Sequence, residues 1–381
     1  MMATRSGAKS ADAAKPYTSA SLVDAPSRIS VRRVLAPEEV AALAEHPGLE
    51  ALGVTVGRLA DLRALAPLGA SKAAITLRFT QSSVADDALL TALPEVLPDL
   101  VGLDLDQGAY VSQGNRFTAK GLSQIGRLPR LRWLHLHHVS HKLKAGDFAF
   151  LADNTALEAL NLHTAGKPGA AIVAPLKGLT RLRRLDISNV ALSDAAARHL
   201  VGLPLTHLRI CQAPLSDKGF VQLGAIKTLE LLDVGLAKGS FGDAGIAALG
   251  ALPALNTLGL TLSHGSRCSV TSLAPLAAMG GLRTLALDLG VAARDAWLRE
   301  LAGSGSLVRL GLGTYMPAEG CSPEAMRALF DAPSLTGVSV NFTAIGPVKA
   351  MLSPAQRAKL VEEGGDLYVG AGCEGPSPDR A

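Results

Sequence analysis

The chain has 381 residues, of which 48% are hydrophobic and 18% are charged, and its formal net charge at pH 7 is +4. This composition excludes a disordered protein, a collagen and a small disulfide scaffold. A single core stops growing beyond about 250–300 residues, so the chain needs either several domains or an architecture that extends by repetition.

Residues 1–27 are predicted to be a flexible tail, because they contain Ser, Thr, Ala and Lys without a continuous apolar stretch of the secretory-signal type. We therefore expect a cytoplasmic protein, with export without cleavage as the alternative. The four cysteines are too widely spaced for a metal knuckle or a dense disulfide framework, and we expect reduced thiols. Residues 28–48 are predicted as an N-terminal cap, whose helix begins at Pro37 and carries Glu38 and Glu39 in its first turn.

One frame, apolar-x-x-apolar-x-apolar, recurs twelve times at a mean spacing of about 26 residues. Its second and third anchors alternate as a strand does, and the residues that follow have helical spacing. Each copy therefore predicts one strand and one return helix. The first anchors are Leu49, Ala74, Leu100, Leu131, Leu157, Leu182, Leu205, Leu229, Leu255, Leu282, Leu307 and Leu335.

Copies such as Leu182–Ile187 and Leu229–Val234 resemble the leucine-rich repeat family, and the resemblance covers about residues 49–345. The segments 215–223 and 241–249 look like the helix-bearing, ribonuclease-inhibitor-like class, with a bacterial source expected. The resemblance implies an α/β solenoid, or horseshoe, with a parallel sheet on the concave face and helices on the convex face. The family's usual Asn or Cys after the strand is absent, because that position holds Gly108, Val139, Ala165, Val190, Ala213 or Thr343.

Local signals place the helix ends. Ser193-Asp194 and Ser216-Asp217 are predicted N-caps, and prolines such as Pro94 and Pro98 are predicted to stop the preceding helix. The uncharged stretch 244–266 divides into a helical half and an alternating half, so it predicts no membrane span.

At the other end, residues 346–369 are predicted as a C-terminal cap, with a helix from Ser353 to about Glu363 and an edge strand at Leu367–Val369. Residues 370–381 are predicted to be a flexible tail.

The strand positions beside the second and third anchors are predicted to point out of the concave face. Reading the position between these anchors in chain order starts with Gly53, Arg78 and Asp104, and polar chemistry concentrates between Asp104 and Asp233. Tryptophan and arginine are enriched in interface hot spots, so this stretch is the predicted binding surface for a protein partner. The predicted contact residues are Asp104, Asp106, Trp133, His135, His137, Asn161, His163, Arg184, Asp186, His207, Arg209 and Asp233.

The sequence therefore favours a non-catalytic, monomeric scaffold for protein binding, without cofactor, metal or membrane. Arginines at the strand entries suggest a basic rim, but the concave aspartates interrupt it, which favours a protein over a nucleic acid. One alternative is an exported effector that recognises host proteins. The other is a metal-dependent hydrolase in which Asp106, His137 and His163 converge on an ion.

Overall fold

A computed structural model describes residues 27–79, 85–105, 117–139, 143–164, 170–188, 190–236, 239–262, 266–289, 294–313, 321–340 and 345–361. The predicted tails lie outside these residues, apart from Ser27, and so does the predicted edge strand at Leu367–Val369. The chain divides into two compact units, one of Met1–Leu182 with Glu374–Ala381 and one of Arg183–Cys373. Each unit is described by itself.

The first unit is a ladder of parallel strands in chain order. Each strand pairs with the next, as in the register that joins Leu77 to Leu103 and Leu134 to Leu160. The strands are β1 Arg28–Ser30, β2 Ala51–Val56, β3 Ala74–Phe79, β4 Gly102–Asp104, β5 Trp133–Val139 and β6 Ala159–Thr164. The helices are α1 Pro37–Ala44, α2 Leu59–Ala64, α3 Asp87–Val96 and α4 Ala119–Ser123, with 3₁₀ helices at Ala66–Ala70, Gln124–Arg127, Ala145–Asp153 and Ala170–Gly178.

The second unit repeats the same plan. Its main ladder runs β7-β8-β9-β11-β13-β14-β15-β16, and a separate parallel pair joins β10 to β12. The strands are β7 Arg184–Ser188, β8 His207–Ala213, β9 Leu231–Leu236, β10 Gly239–Gly242, β11 Thr257–Leu262, β12 Ser266–Ser269, β13 Thr284–Asp288, β14 Arg309–Leu312, β15 Gly337–Val340 and β16 Leu360–Val361. The helices are α5 Asp194–Ala197, α6 Asp217–Leu223, α7 Asp243–Gly250, α8 Ala274–Ala277, α9 Asp295–Ala302, α10 Pro323–Asp331, α11 Ile345–Met351 and α12 Pro354–Arg357.

Aliphatic anchors build the core of both units. Leu185 and Ile187 are buried on one face of β7, and helix residues such as Phe220 and Ile246 are fully buried in the repeats that follow. Since side chains alternate along a strand, one face of each ladder is covered by helices and the other is left for polar residues. We call this second face the open face; it corresponds to the predicted concave face. All twelve predicted copies of the repeat form a strand.

The register corrects one predicted column. Gly53 was expected beside Arg78, but Arg78 pairs with Thr55, and Gly53 pairs with Thr76. The reason is that the first copy buries Val54 and Val56 opposite Leu77 and Phe79, so its apolar frame begins two residues later than predicted and Thr55 takes the place of Gly53. From Arg78 onward the column runs as predicted through Asp104, His135 and Asn161.

The helices are less regular than expected. Two return segments, Ala145–Asp153 and Ala170–Gly178, are 3₁₀ helices rather than α-helices. Pro94 lies inside α3, which ends two residues later at Val96, so the prediction that this proline stops the helix is wrong.

The two caps compare differently with their predictions. The N-terminal helix is confirmed, and buried Glu39 binds Arg33 through two contacts of 2.7 and 2.6 Å. The C-terminal helix ends at Arg357 instead of about Glu363, because the chain continues into Leu360–Val361, which pairs with a neighbouring strand. Leu360–Val361 then pairs with β15 as the last strand of the described residues.

The stretch 244–266 contains the end of α7 and all of β11, as its pattern predicted. Within the part of the chain that the structure describes, every helix is too short or too polar to cross a membrane.

A ladder of aspartates links the starts of successive helical segments. In each link the first helical residue of one repeat is an Asp whose carboxylate accepts from the backbone N–H and the hydroxyl of a Ser or Thr in the next repeat. In the first unit Asp87 binds Thr118, with both contacts at 2.7 Å. In the second unit the pairs are Asp194 with Ser216, Asp243 with Thr271, and Asp295 with Ser322.

Each link satisfies helix-end amides that would otherwise lack a partner, and it fastens one repeat to the next. Asp217 extends the ladder to a residue without a hydroxyl, since it accepts only from the backbone N–H groups of Gly242 and Gly245. The aspartate ladder therefore joins repeats in a chain that lacks the Asn ladder of the family's common pattern.

Replacing one rung should weaken the fold measurably. In Asp295→Asn the side-chain amide loses one of the two acceptors that hold Ser322, so we expect the free energy of unfolding to fall by about 1 kcal/mol. Urea denaturation followed by circular dichroism measures this change. Glu324→Gln is the matched control, since Glu324 is 71% exposed and its ion pair with Arg327 is long, at 4.0 Å. An equal loss of stability in Glu324→Gln would contradict a specific role for the aspartate ladder.

The same rung predicts a pH dependence. Hydrogen bonds from Ser322 lower the pKa of Asp295, as those from Thr271 lower the pKa of Asp243. A lowered folded-state pKa gives stability that is fully present above the unfolded value of about 3.9 and is lost as the pH falls through the folded value. The stability difference between wild type and Asp295→Asn should therefore shrink below about pH 4. A difference that stays constant from pH 6 to pH 3 would contradict this assignment.

Candidate functional site

Four rings stand in a row on the open face of the first unit. Trp133, His135 and His137 alternate along β5, and His163 lies on β6. The ring centroids are 6.2 Å apart from Trp133 to His135, 5.5 Å from His135 to His137 and 4.3 Å from His137 to His163. We call these four residues the aromatic patch.

The neighbouring strands leave space for the indole. Trp133 pairs in register with Gly102 on one side and Ala159 on the other, which are both small. A Cβ atom added at Gly102 would lie 3.2 Å from Trp133 Cε3 and 2.7 Å from Thr76 Oγ1. The absence of a side chain at Gly102 therefore allows the ring to lie where it does.

Asp104 orients the central histidine. Its Oδ1 lies 3.3 Å from His135 Nδ1, and because a carboxylate can only accept, a hydrogen bond between the two places a proton on Nδ1. His135 is 9% exposed and its register partner Asn161 is 4% exposed. His135 Nε2 and Asn161 Nδ2 have no hydrogen-bond partner among the described residues.

The structure brings together two members of the predicted metal trio. His137 and His163 are in ring contact, whereas Asp106 lies outside the described residues. Among the residues that are described, no group of three His, Cys, Asp or Glu side chains is arranged to hold a metal ion. The metal-dependent hydrolase therefore gains no support from the histidine column.

A second set of predicted residues lies on the open face of the second unit. The register pairs Arg184 with His207, and it places Arg209 between Asp186 and Asp233. Arg209 Nε is 3.7 Å from Asp233 Oδ2, and the Asp233 side chain is only 7% exposed. We call these five residues the charged patch.

The charged patch keeps its histidine neutral. Burial lowers the pKa of His207, and the positive charges of Arg184 and Arg209 lower it further, while Glu230 opposes them. The His207 ring is therefore mostly uncharged at pH 7, and its register partner Arg184 contributes to this neutrality.

Burial of the predicted residues differs from the expectation that they point into solvent. His135, Asn161, Asp186 and Asp233 are all buried, and Trp133 is half-buried. Because the strands pair in register, neighbouring side chains contact one another across the strands. The residues between the second and third anchors are therefore covered by the side chains beside them. Exposure is concentrated at flanking positions such as Arg184.

Two of the strand-entry arginines that were predicted to form a basic rim lie beside acidic side chains. Arg132 makes two contacts of 2.8 Å with Glu158, and Arg130 lies 3.6 Å from Asp99. These pairs reduce the positive potential at the strand entries of the first unit.

The thiols differ in their surroundings. Among the described residues, Cys211, Cys268 and Cys321 form no disulfide, and all three are half-buried. Burial raises the pKa of Cys268, and burial together with Asp295 raises the pKa of Cys321 to about 11, so both remain protonated at neutral pH. A protonated thiol is a poor nucleophile.

Sequence reasoning missed three residues that position these side chains. Gly102 makes room for Trp133, Thr206 contacts the His207 ring at 2.9 Å, and Glu230 acts on His207 by charge. Gly102 and Thr206 stand in or next to the strand columns, so their small or hydroxyl side chains were visible, but their contacts depend on the register between strands.

No protein-family model matches the sequence, and a comparison with curated proteins gives no match. The structure is similar to that of an internalin (inlF) from Listeria monocytogenes strain 4b F2365, with a TM-score of 0.51 and 18% sequence identity over 87% of this chain and 90% of that chain. It is also similar to the TLR13–ssRNA13 complex, with a TM-score of 0.43 and 15% identity over 82% of this chain and 51% of that one.

At these identities the comparisons inform the fold alone. The internalin likeness joins the twelve-fold sequence repeat and the parallel ladders of both units as evidence for one architecture. The chain therefore has an α/β solenoid fold of the leucine-rich repeat type.

Proposed function

We propose that the protein is a non-catalytic scaffold that binds a protein partner through the open face of its repeats, with the aromatic patch as the anchor. The observation that carries this proposal is the half-buried Trp133, which stands over Gly102 at one end of a row of three histidine rings. Tryptophan offers a large apolar area with an N–H donor, and it is among the residues most enriched in interface hot spots.

The patch is held in place before a partner arrives. Asp104 orients His135, and the edge-to-face contacts between Trp133, His135 and His137 restrict all three rings. Because these side chains have already lost rotamer freedom, binding costs less conformational entropy. A preorganised aromatic surface on rigid strands favours recognition of a folded or extended protein segment.

Two thiols outside the patches are poor candidates for a nucleophile, which is consistent with a binding function. Cys268 and Cys321 have raised pKa values, which disfavours thiolate nucleophiles at both positions. The described part of the histidine row provides no metal-holding group. What remains is a set of rings, amides and carboxylates suited to contact and hydrogen bonding.

Truncating the tryptophan should remove partner binding. The partner is first captured from native lysate with the tagged wild-type protein, identified by mass spectrometry and prepared in pure form. In Trp133→Ala we expect its Kd to rise by about 30-fold, which corresponds to a hot-spot loss of about 2 kcal/mol. Trp133→Phe should give an intermediate Kd, since it retains part of the apolar area.

Val221→Ala is the control for this experiment, because Val221 is 51% exposed on helix α6, away from the strands. Circular dichroism and the unfolding midpoint establish that each variant is folded. Equal affinity of wild type and folded Trp133→Ala would contradict the aromatic patch as the anchor.

A methyl group added at Gly102, next to the Trp133 ring, is a smaller perturbation than truncation of the tryptophan. In Gly102→Ala the new methyl group forces Trp133 or Thr76 to move, so we expect the partner's Kd to rise several-fold while the protein stays folded. Gly53→Ala is the matched control, since Gly53 stands in the same column and its nearest neighbour is the Ser30 hydroxyl at 3.2 Å. Biolayer interferometry measures both variants, and an identical loss in both would mean that the position of Trp133 is not the cause.

A further inference from the structure

The two arginines of the charged patch differ in their ion pairing. Arg184 is exposed on the open face and forms none of the ion pairs found among the described residues, whereas Arg209 is held by Asp233 at 3.7 Å. Arg184 and His207 are direct register partners, so their side chains leave the same face of neighbouring strands about 4.8 Å apart.

A hydrogen-bond chain determines which nitrogen of His207 carries the proton. The Thr206 hydroxyl donates to the carbonyl oxygen of Arg183 at 3.2 Å, so its oxygen is left to accept from His207 Nδ1 at 2.9 Å. In the neutral ring Nδ1 therefore holds the proton and Nε2 holds a lone pair. A second proton can enter only at Nε2.

The charges that face His207 come from three strands or their entries. Burial disfavours protonation of His207 most. The charges of Arg184 and Arg209 also disfavour protonation, and the charge of Glu230 favours it. Asp186 and Asp233 flank Arg209 in the register. The cation that most opposes protonation of His207 is therefore Arg184, the one outside the ion pairs.

We propose that Arg184 and His207 together form a site for an acidic side chain, Asp or Glu, of the protein partner. This inference rests on the proposed function and names the chemistry that the charged patch recognises. In the complex the guanidinium donates to the carboxylate, and His207 takes up a proton from solvent at Nε2 and donates through it.

A carboxylate satisfies both members of the site. Arginine forms charge-assisted, often bidentate, hydrogen bonds with carboxylates, and these are stronger than bonds between neutral groups. The bound negative charge also offsets the repulsion between Arg184 and a protonated His207. By thermodynamic linkage, a ligand that raises the proton affinity of His207 must itself bind more tightly when the pH is lowered.

A pair of capped peptides tests the site directly. The probes are acetyl-Gly-Glu-Gly-Glu-Gly-amide and the uncharged counterpart in which Gln replaces each Glu. Binding to the full chain is followed by NMR through the Cε1–H signal of His207, assigned with His207→Gln. We expect the Glu peptide to raise the pKa of His207 and to bind several-fold more tightly at pH 5.5 than at pH 7.5, while the Gln peptide does neither.

Variants separate the site from general attraction. Arg184→Ala should weaken the Glu peptide about tenfold or more, because it removes the charged donor, which typically contributes on this scale. Arg198→Ala is the matched control, since Arg198 is an exposed arginine of the same unit on the helical side. His207→Gln should retain binding near that of wild type at pH 7.5 but lose the strengthening at pH 5.5.

The proposal is overturned if both peptides bind alike, if Arg198→Ala loses as much affinity as Arg184→Ala, or if His207→Gln keeps the full pH dependence. It is also overturned if the captured partner depends on Trp133 but is unaffected by Arg184→Ala; in that case the proposed scaffold function stands. Loss of the partner in Arg184→Ala but not in Trp133→Ala would instead support the carboxylate site and remove the aromatic anchor.

Discussion

Every other feature of this protein depends on one constraint, which is that no single repeat can bury its own aliphatic anchors. Leu185 and Ile187 are covered only when neighbouring strands pair in register and the return segments pack behind them. Because the backbone ladder spaces the strands about 4.8 Å apart, it also sets the spacing of every side chain on the open face. Burial on one face thus determines how closely chemistry can be assembled on the other.

The same constraint explains where the repeats are fastened. Strand pairing joins one edge of each repeat, and the aspartate ladder joins the starts of the helical segments, as in Asp194 with Ser216 and Asp295 with Ser322. These contacts work with helices as short as α5, because Ser193 caps the start of this helix and Asp194 at its first position binds Ser216 of the next repeat. The irregular 3₁₀ segments are tolerated because packing, and not helix propensity, holds the helical layer of each unit together.

The two patches use one scaffold for opposite chemistry. In the aromatic patch the rings are close and a single carboxylate, Asp104, orients His135. In the charged patch Arg209 is held by Asp233, and His207 stays neutral beside the exposed Arg184.

The sequence alone determined the repeat, the parallel strands and the helix that begins at Pro37, because the apolar residues recur with a period of two along each strand and of about 26 along the chain. Only the tertiary structure decided that Arg78 pairs with Thr55, that Asn161 and Asp186 are buried, and that Gly102 makes room for Trp133. It also decided that the C-terminal helix ends at Arg357, where the chain turns to pair Leu360 and Val361 with β15. The physical reason is that these outcomes depend on register and contact between residues at least 22 positions apart, which local periodicity does not encode.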